Sequence, residues 1–98
     1  MGLASVAPCC DTELIRESFA TIPQVQSIHV LFRESTCRIT IAVPTKNYAL
    51  EDRIYDAQYA LMDRAPGLRI DLNIVVLGSR KLEDIVTSVG EKVFPRAA

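Results

Sequence analysis

The chain has no apolar run approaching the ~20 residues that cross a bilayer as a helix, and it has no basic excess. Its 98 residues carry 11 Lys and Arg against 12 Asp and Glu, a formal net charge of −1. A general nucleic-acid binder needs a cationic surplus to neutralise phosphates, so neither nucleic acid nor a membrane is expected as a partner. Met1–Pro8 is mildly apolar but lacks the basic start of a secretory leader. Val6 stands where a myristoylation signal on Gly2 would need Ser or Thr. The expected setting is therefore cytoplasmic. Cysteine is scarce: Cys9, Cys10 and Cys37. An odd count without a leader argues against a disulfide framework and for reduced thiols. There is no Gly-rich phosphate loop, P-loop or G-x-S-x-G turn.

What is present is a globular composition, 49% hydrophobic with 23% charged residues, well away from that of disordered chains. The length suits one domain. Residues 1–10 read as a lead-in of small residues, with a short added strand around Leu3–Ala7 in prospect. Residues 11–98 read as a single domain with an extension from Gly78. A chain of this size buries only about 60–65% of its unfolded surface, so a partner surface would add usefully to its stability.

Hydrophobic spacing gives the element order. Asp11 or Thr12 can cap a first helix whose Leu14, Ile15, Phe19 and Ile22 share one face, and Pro23 ends it. Val25 to Arg33 alternates as a strand, with Ile28, Val30 and Phe32 on one face and His29, Leu31 and Arg33 on the other. After a polar turn, Cys37, Ile39, Ile41 and Val43 alternate against Arg38, Thr40 and Ala42, which makes an antiparallel hairpin. Pro44 closes it. A long helix follows from Thr45 or Asn47 to Ala65, ended by Pro66-Gly67. Leu68 to Val76 alternates as a third strand. Ser79 can cap a short third helix carrying Leu82, Ile85, Val86 and Val89, and Val93-Phe94 can pack back as an edge strand. The expected fold class is an α+β, αββαβ two-layer sandwich of ferredoxin-like or metallochaperone-like order, with a short C-terminal helical extension.

If the helices cover one sheet face, the other carries His29, Leu31, Arg33, Arg38, Thr40, Ala42, Arg69, Asp71, Asn73 and Val75. This mixture suits either a solvated face or a subunit contact. The expected interface residues are Leu31, Arg33, Arg38, Thr40, Ala42 and Val75. Arg33, Arg38 and Arg69 have no aromatic ring on that face to stack a base, which weighs against single-stranded nucleic acid.

Candidate chemistry is sparse. His29, Cys9, Cys10 and Cys37 are the only soft metal ligands, and adjacent cysteines do not match zinc-ligand spacing. Cys37 and His29 alternate onto opposite faces, so no Cys–His nucleophile pair is expected. Asp52 and Asp56 share a helical face but read as solvated charges. Tyr48, Tyr55 and Tyr59 read as rim residues of a core or dimer contact. Gly78-Ser79-Arg80-Lys81 before a helix can hold an anion.

The phrase Ile22-Pro23-Gln24-Val25-Gln26-Ser27-Ile28-His29-Val30-Leu31, with Arg38-Ile39-Thr40-Ile41 and Leu50-Glu51-Asp52, resembles the cytoplasmic C-terminal domain of cation diffusion facilitator transporters over about residues 13–76. The resemblance implies the αββαβ fold and a tendency to dimerise. It also implies a metal role in which His29 is the one ligand kept. Val30 stands where that family has Asp, Arg53-Ile54 falls where it has a helix histidine, and Asn73 where it has a strand histidine.

The reading as a whole is a non-enzymatic, homodimerising interaction or regulatory module without a required cofactor. The alternatives are a zinc- or other divalent-metal-sensing domain using His29, and a small-ligand binder or enzyme with an anion site near Gly78.

Overall fold

The structure, a computed structural model, describes residues 11–85 and 90–95. Helix α1 (Thr12–Ala20) begins where the Asp11 side chain accepts a hydrogen bond from the Leu14 amide at 3.1 Å, satisfying one of the free N–H groups of the first turn. Strands β1 (Ser27–Arg33) and β2 (Thr36–Val43) form the antiparallel hairpin. Their turn residues Glu34 and Ser35 both take positive φ, 51° and 65°. That is the mirror-image turn whose twist matches paired strands. Helix α2 (Tyr48–Arg64) is capped by Asn47, whose side-chain oxygen accepts from the Leu50 amide at 3.1 Å. It carries the chain across so that β3 (Ile70–Val76) lies parallel to β2, a connection that only a crossover can make. Strand β4 (Glu91–Phe94) pairs antiparallel with the far side of β1.

The result is an α+β two-layer fold: one mixed sheet of order β3-β2-β1-β4 with two helices packed on it. The edge strand expected at Val93-Phe94 forms as β4. The third helix expected from Ser79 does not form among the described residues. A single 3₁₀ turn, Leu82–Asp84, takes its place, with Lys81 rather than Ser79 at the cap position and no side-chain cap bond. Without a capped first turn there is nothing to offset the cost of nucleating an α-helix. The lead-in, its strand at Leu3–Ala7, the Cys9-Cys10 pair, and Val86 and Val89 lie outside the described residues.

The core sits between sheet and helices. Ile15 and Phe19 from α1, Ile28 and Val30 from β1, Ile39, Ile41 and Val43 from β2, and Leu50, Ile54 and Leu61 from α2 are all buried. Each such side chain contributes about 1.5–3 kcal/mol. Two parts of the expected inner rows depart from this. Phe32 lies at the hairpin end and is 41% exposed. Ile70, Leu72 and Ile74 pack against the core but are only half-buried, because β3 is the edge strand of the sheet among the described residues. Cys37 is fully buried and disulfide-bonded, which corrects the expectation of a free thiol.

Candidate functional site

The helix-free sheet face divides into two halves. Toward one end, Ala42 and Val75 pack under Leu77, Leu82 and the half-buried Ile85 to form a second apolar cluster. Ala42 is 0%, Val75 8% and Thr40 2% exposed. Three of the six residues expected to meet a partner are thus already buried within the chain. For Ala42 and Val75 the reason is the extension: Leu77 continues the row beyond β3, and after the turn at Gly78 Leu82 packs back across the sheet, on the face the helices leave bare.

The other half stays open at the hairpin end. Cross-strand pairing sets Leu31 opposite Arg38 and Arg33 opposite Thr36, and the parallel register places Asp71 beside Arg38. Arg69 is held alongside because its carbonyl accepts from the Cys37 amide at 2.7 Å. Together Leu31, Arg33, Thr36, Arg38, Arg69 and Asp71 line a cavity of about 450 Å³, with Glu34 at its rim. Arg38 donates from Nε to Asp71 Oδ2 at 3.3 Å. Among the described residues Arg33 and Arg69 have no ion-pair partner. The sequence names all three arginines on this face. It does not show that β3 lies parallel beside β2, and that arrangement is what closes them round one hollow.

His29 lies midway along the same face, opposite Thr40 on one side and paired with Lys92 of β4 on the other. Its Nδ1 is buried without a hydrogen-bond partner. Burial, and then the Lys92 charge, hold its pKa below the ordinary 6.5, so the neutral imidazole is favoured. No group of three His, Cys, Asp or Glu side chains able to hold a metal forms among the described residues. Lys92, paired across from His29, sets a cation close enough to act on its titration. Cys37 belongs to the helix-facing row and does not join it.

On α2, Asp52 and Asp56 are exposed, as are Tyr48, Tyr55 and Tyr59. At Gly78 the backbone takes φ 62°, but the helix N-terminus needed to hold an anion there is replaced by the 3₁₀ turn. No helix among the described residues is long and apolar enough to cross a membrane.

The sheet edge is the remaining feature. Arg69 turns its carbonyl toward β2, and the Leu77 amide donates to the Val43 carbonyl at 2.8 Å. A strand residue directs its N–H and C=O to the same side, and that side alternates along the strand. Asp71, Asn73 and Val75 therefore bond to β2. Ile70, Leu72, Ile74 and Val76 direct their amides and carbonyls outward, along an edge with no neighbouring strand among the described residues. Compared with known protein families, curated proteins and solved structures, the chain matches none.

Proposed function

We propose that this chain is a non-enzymatic interaction module that pairs with a second copy of itself along the open edge of β3. The observation that carries the reading is that edge. The seven residues of β3 contain no proline, and their outward backbone groups have no partner strand among the described residues. Natural proteins blunt such edges with proline, lysine or a covering segment; β3 contains no proline or lysine, and no segment among the described residues covers it. An antiparallel β3–β3 contact centred on Asn73 brings Ile70 opposite Val76 and Leu72 opposite Ile74. Every outward amide is then used, and the half-buried aliphatic row is closed against its own copy. On the other face Asp71 meets Val75 and Asn73 meets Asn73, so no like charges oppose one another. The contact is isologous, the commonest kind in homodimers.

The dimerising tendency implied by the resemblance to cation diffusion facilitator cytoplasmic domains agrees with this reading. The metal-sensing alternative has less support, since His29 sits beside Lys92. The disulfide at Cys37 weighs against the reducing cytoplasm expected from the cysteine count, because cytosolic disulfides are rare.

The test is light scattering of the parent and of Ile74→Pro at high micromolar concentration. Proline at position 74 removes an outward amide and spares the ladder to β2. The expected result is a dimeric parent and a folded, monomeric variant. A parent that stays monomeric, or a variant that dimerises equally, overturns the proposal.

A further inference from the structure

The cavity at the hairpin end of the sheet has a lining that edge pairing does not use. It is built from side chains of β1, the hairpin turn, β2, the residue before β3 and Asp71 of β3, whereas the edge contact uses backbone groups. Its lining holds three arginines against two carboxylates, Glu34 and Asp71. Gathering like charges in one hollow is unfavourable unless counter-charge is supplied. Asp71 supplies it to Arg38, but through Nε alone, which leaves the terminal guanidinium nitrogens of Arg38 free to donate. Arg33 and Arg69 have no carboxylate partner among the described residues, and the Thr36 hydroxyl adds a further donor.

Arg33, Thr36, Arg38 and Asp71 sit on strands, and Arg69, one residue before β3, is tied to β2 through its carbonyl, which holds the donors in register. A volume of about 450 Å³ falls within the ~300–1,000 Å³ typical of small-molecule sites. Leu31 supplies one apolar wall. Among the described residues the lining has no histidine, cysteine or serine, and its arginines suit it to binding.

We propose that this cavity binds a small oxyanion bearing two or more acidic groups, of the polycarboxylate or phosphate class. Arg33 and Arg69 act as the principal bidentate donors, a geometry that guanidinium shares with both carboxylate and phosphate. Asp71 acts as a positioning residue that orients Arg38.

Calorimetric titration with citrate and with pyrophosphate tests this on the parent, on the double variant Arg33→Gln/Arg69→Gln and on Arg80→Gln, whose arginine is exposed and outside the cavity. The expected result is binding of one or both probes by the parent, weakened at least tenfold in the double variant and unchanged in Arg80→Gln. Which probe binds tells the carboxylate source from the phosphate source. All the substituted side chains are exposed, and circular dichroism confirms that each variant is folded. Three outcomes overturn the assignment. One is that neither probe binds the parent. Another is equal binding by parent and double variant, or equal loss in Arg80→Gln. The third is that a single-stranded oligonucleotide binds the same arginines more tightly than either probe.

Discussion

Alanine substitution at three glycines forms a graded series that tests the geometry of the C-terminal segment. At Gly90 the backbone φ is 84°, and an added Cβ would fall against the Val30 carbonyl and the Leu31 side chain. The left-handed conformation costs a non-glycine residue about 1–2 kcal/mol, and forcing an extra carbon into a packed contact costs about 1–3 kcal/mol more. Gly90→Ala is thus expected to destabilise by roughly 2–5 kcal/mol, a large part of the ~5–15 kcal/mol typical of a domain. Gly78 has φ 62° with open space around it, so Gly78→Ala carries only the conformational term, about 1–2 kcal/mol. Gly67 shows neither constraint. Gly67→Ala should be neutral or stabilise by up to about 1 kcal/mol through the unfolded chain. Urea denaturation of the three variants measures the order directly. The loss at Gly90 should appear with reduced amide protection in β1, because β4 is the strand that Gly90 brings against it. A Gly90→Ala stability within 0.5 kcal/mol of the parent, on the scale of an ordinary surface substitution, would refute the placement of β4.

Other consequences follow from the same geometry. His29 is held below its ordinary pKa of 6.5, so the unfolded chain takes up a proton before the folded one. Stability should be complete above about that pH and fall as the pH drops through 6.5 toward the folded-state value, then level off. His29→Gln should flatten this dependence in urea midpoints measured across the window. Leu82→Ala should cost about 2–3 kcal/mol, near the low end of buried leucine truncations, by thinning the cover over Ala42 and Val75; a thermal melt reads it, and an unchanged midpoint would contradict that cover. Asn47→Ala should cost about 1 kcal/mol by removing the α2 cap, whereas Ser79→Ala should cost less than half of that because Ser79 caps nothing.

Much of this fold is legible in short-range pattern. Asp11 and Asn47 announce the helix starts, the alternation through Ile28–Val30 and Ile39–Val43 gives the hairpin, and Pro44 and Pro66-Gly67 give the stops. These are local signals set by backbone hydrogen bonding and one-sided burial. What escapes them depends on strand order and on the return path of the extension. Nothing in Leu77 or Leu82 says which sheet face they will cover, so Ala42 and Val75 read as surface. The inner rows of β2 and β3 look alike in sequence. Only position in the sheet makes Ile39 fully buried and Leu72 half-exposed. The arginine cavity was half legible: alternation puts Arg33, Arg38 and Arg69 on one face, but the parallel crossover is what brings Arg69 and Asp71 beside Arg38.

The central claim, that β3 is an open edge completed by a second copy, is tested most directly by amide hydrogen exchange within that strand as a function of protein concentration. In the monomer the Asp71, Asn73 and Val75 amides are protected by β2, whereas those of Leu72 and Ile74 have no strand partner among the described residues. The account predicts that Leu72 and Ile74 gain protection as concentration rises, in step with dimer formation, while the odd-numbered amides stay protected throughout. Leu72 and Ile74 amides that exchange freely in a demonstrated dimer, or that are protected equally at every concentration, would contradict it.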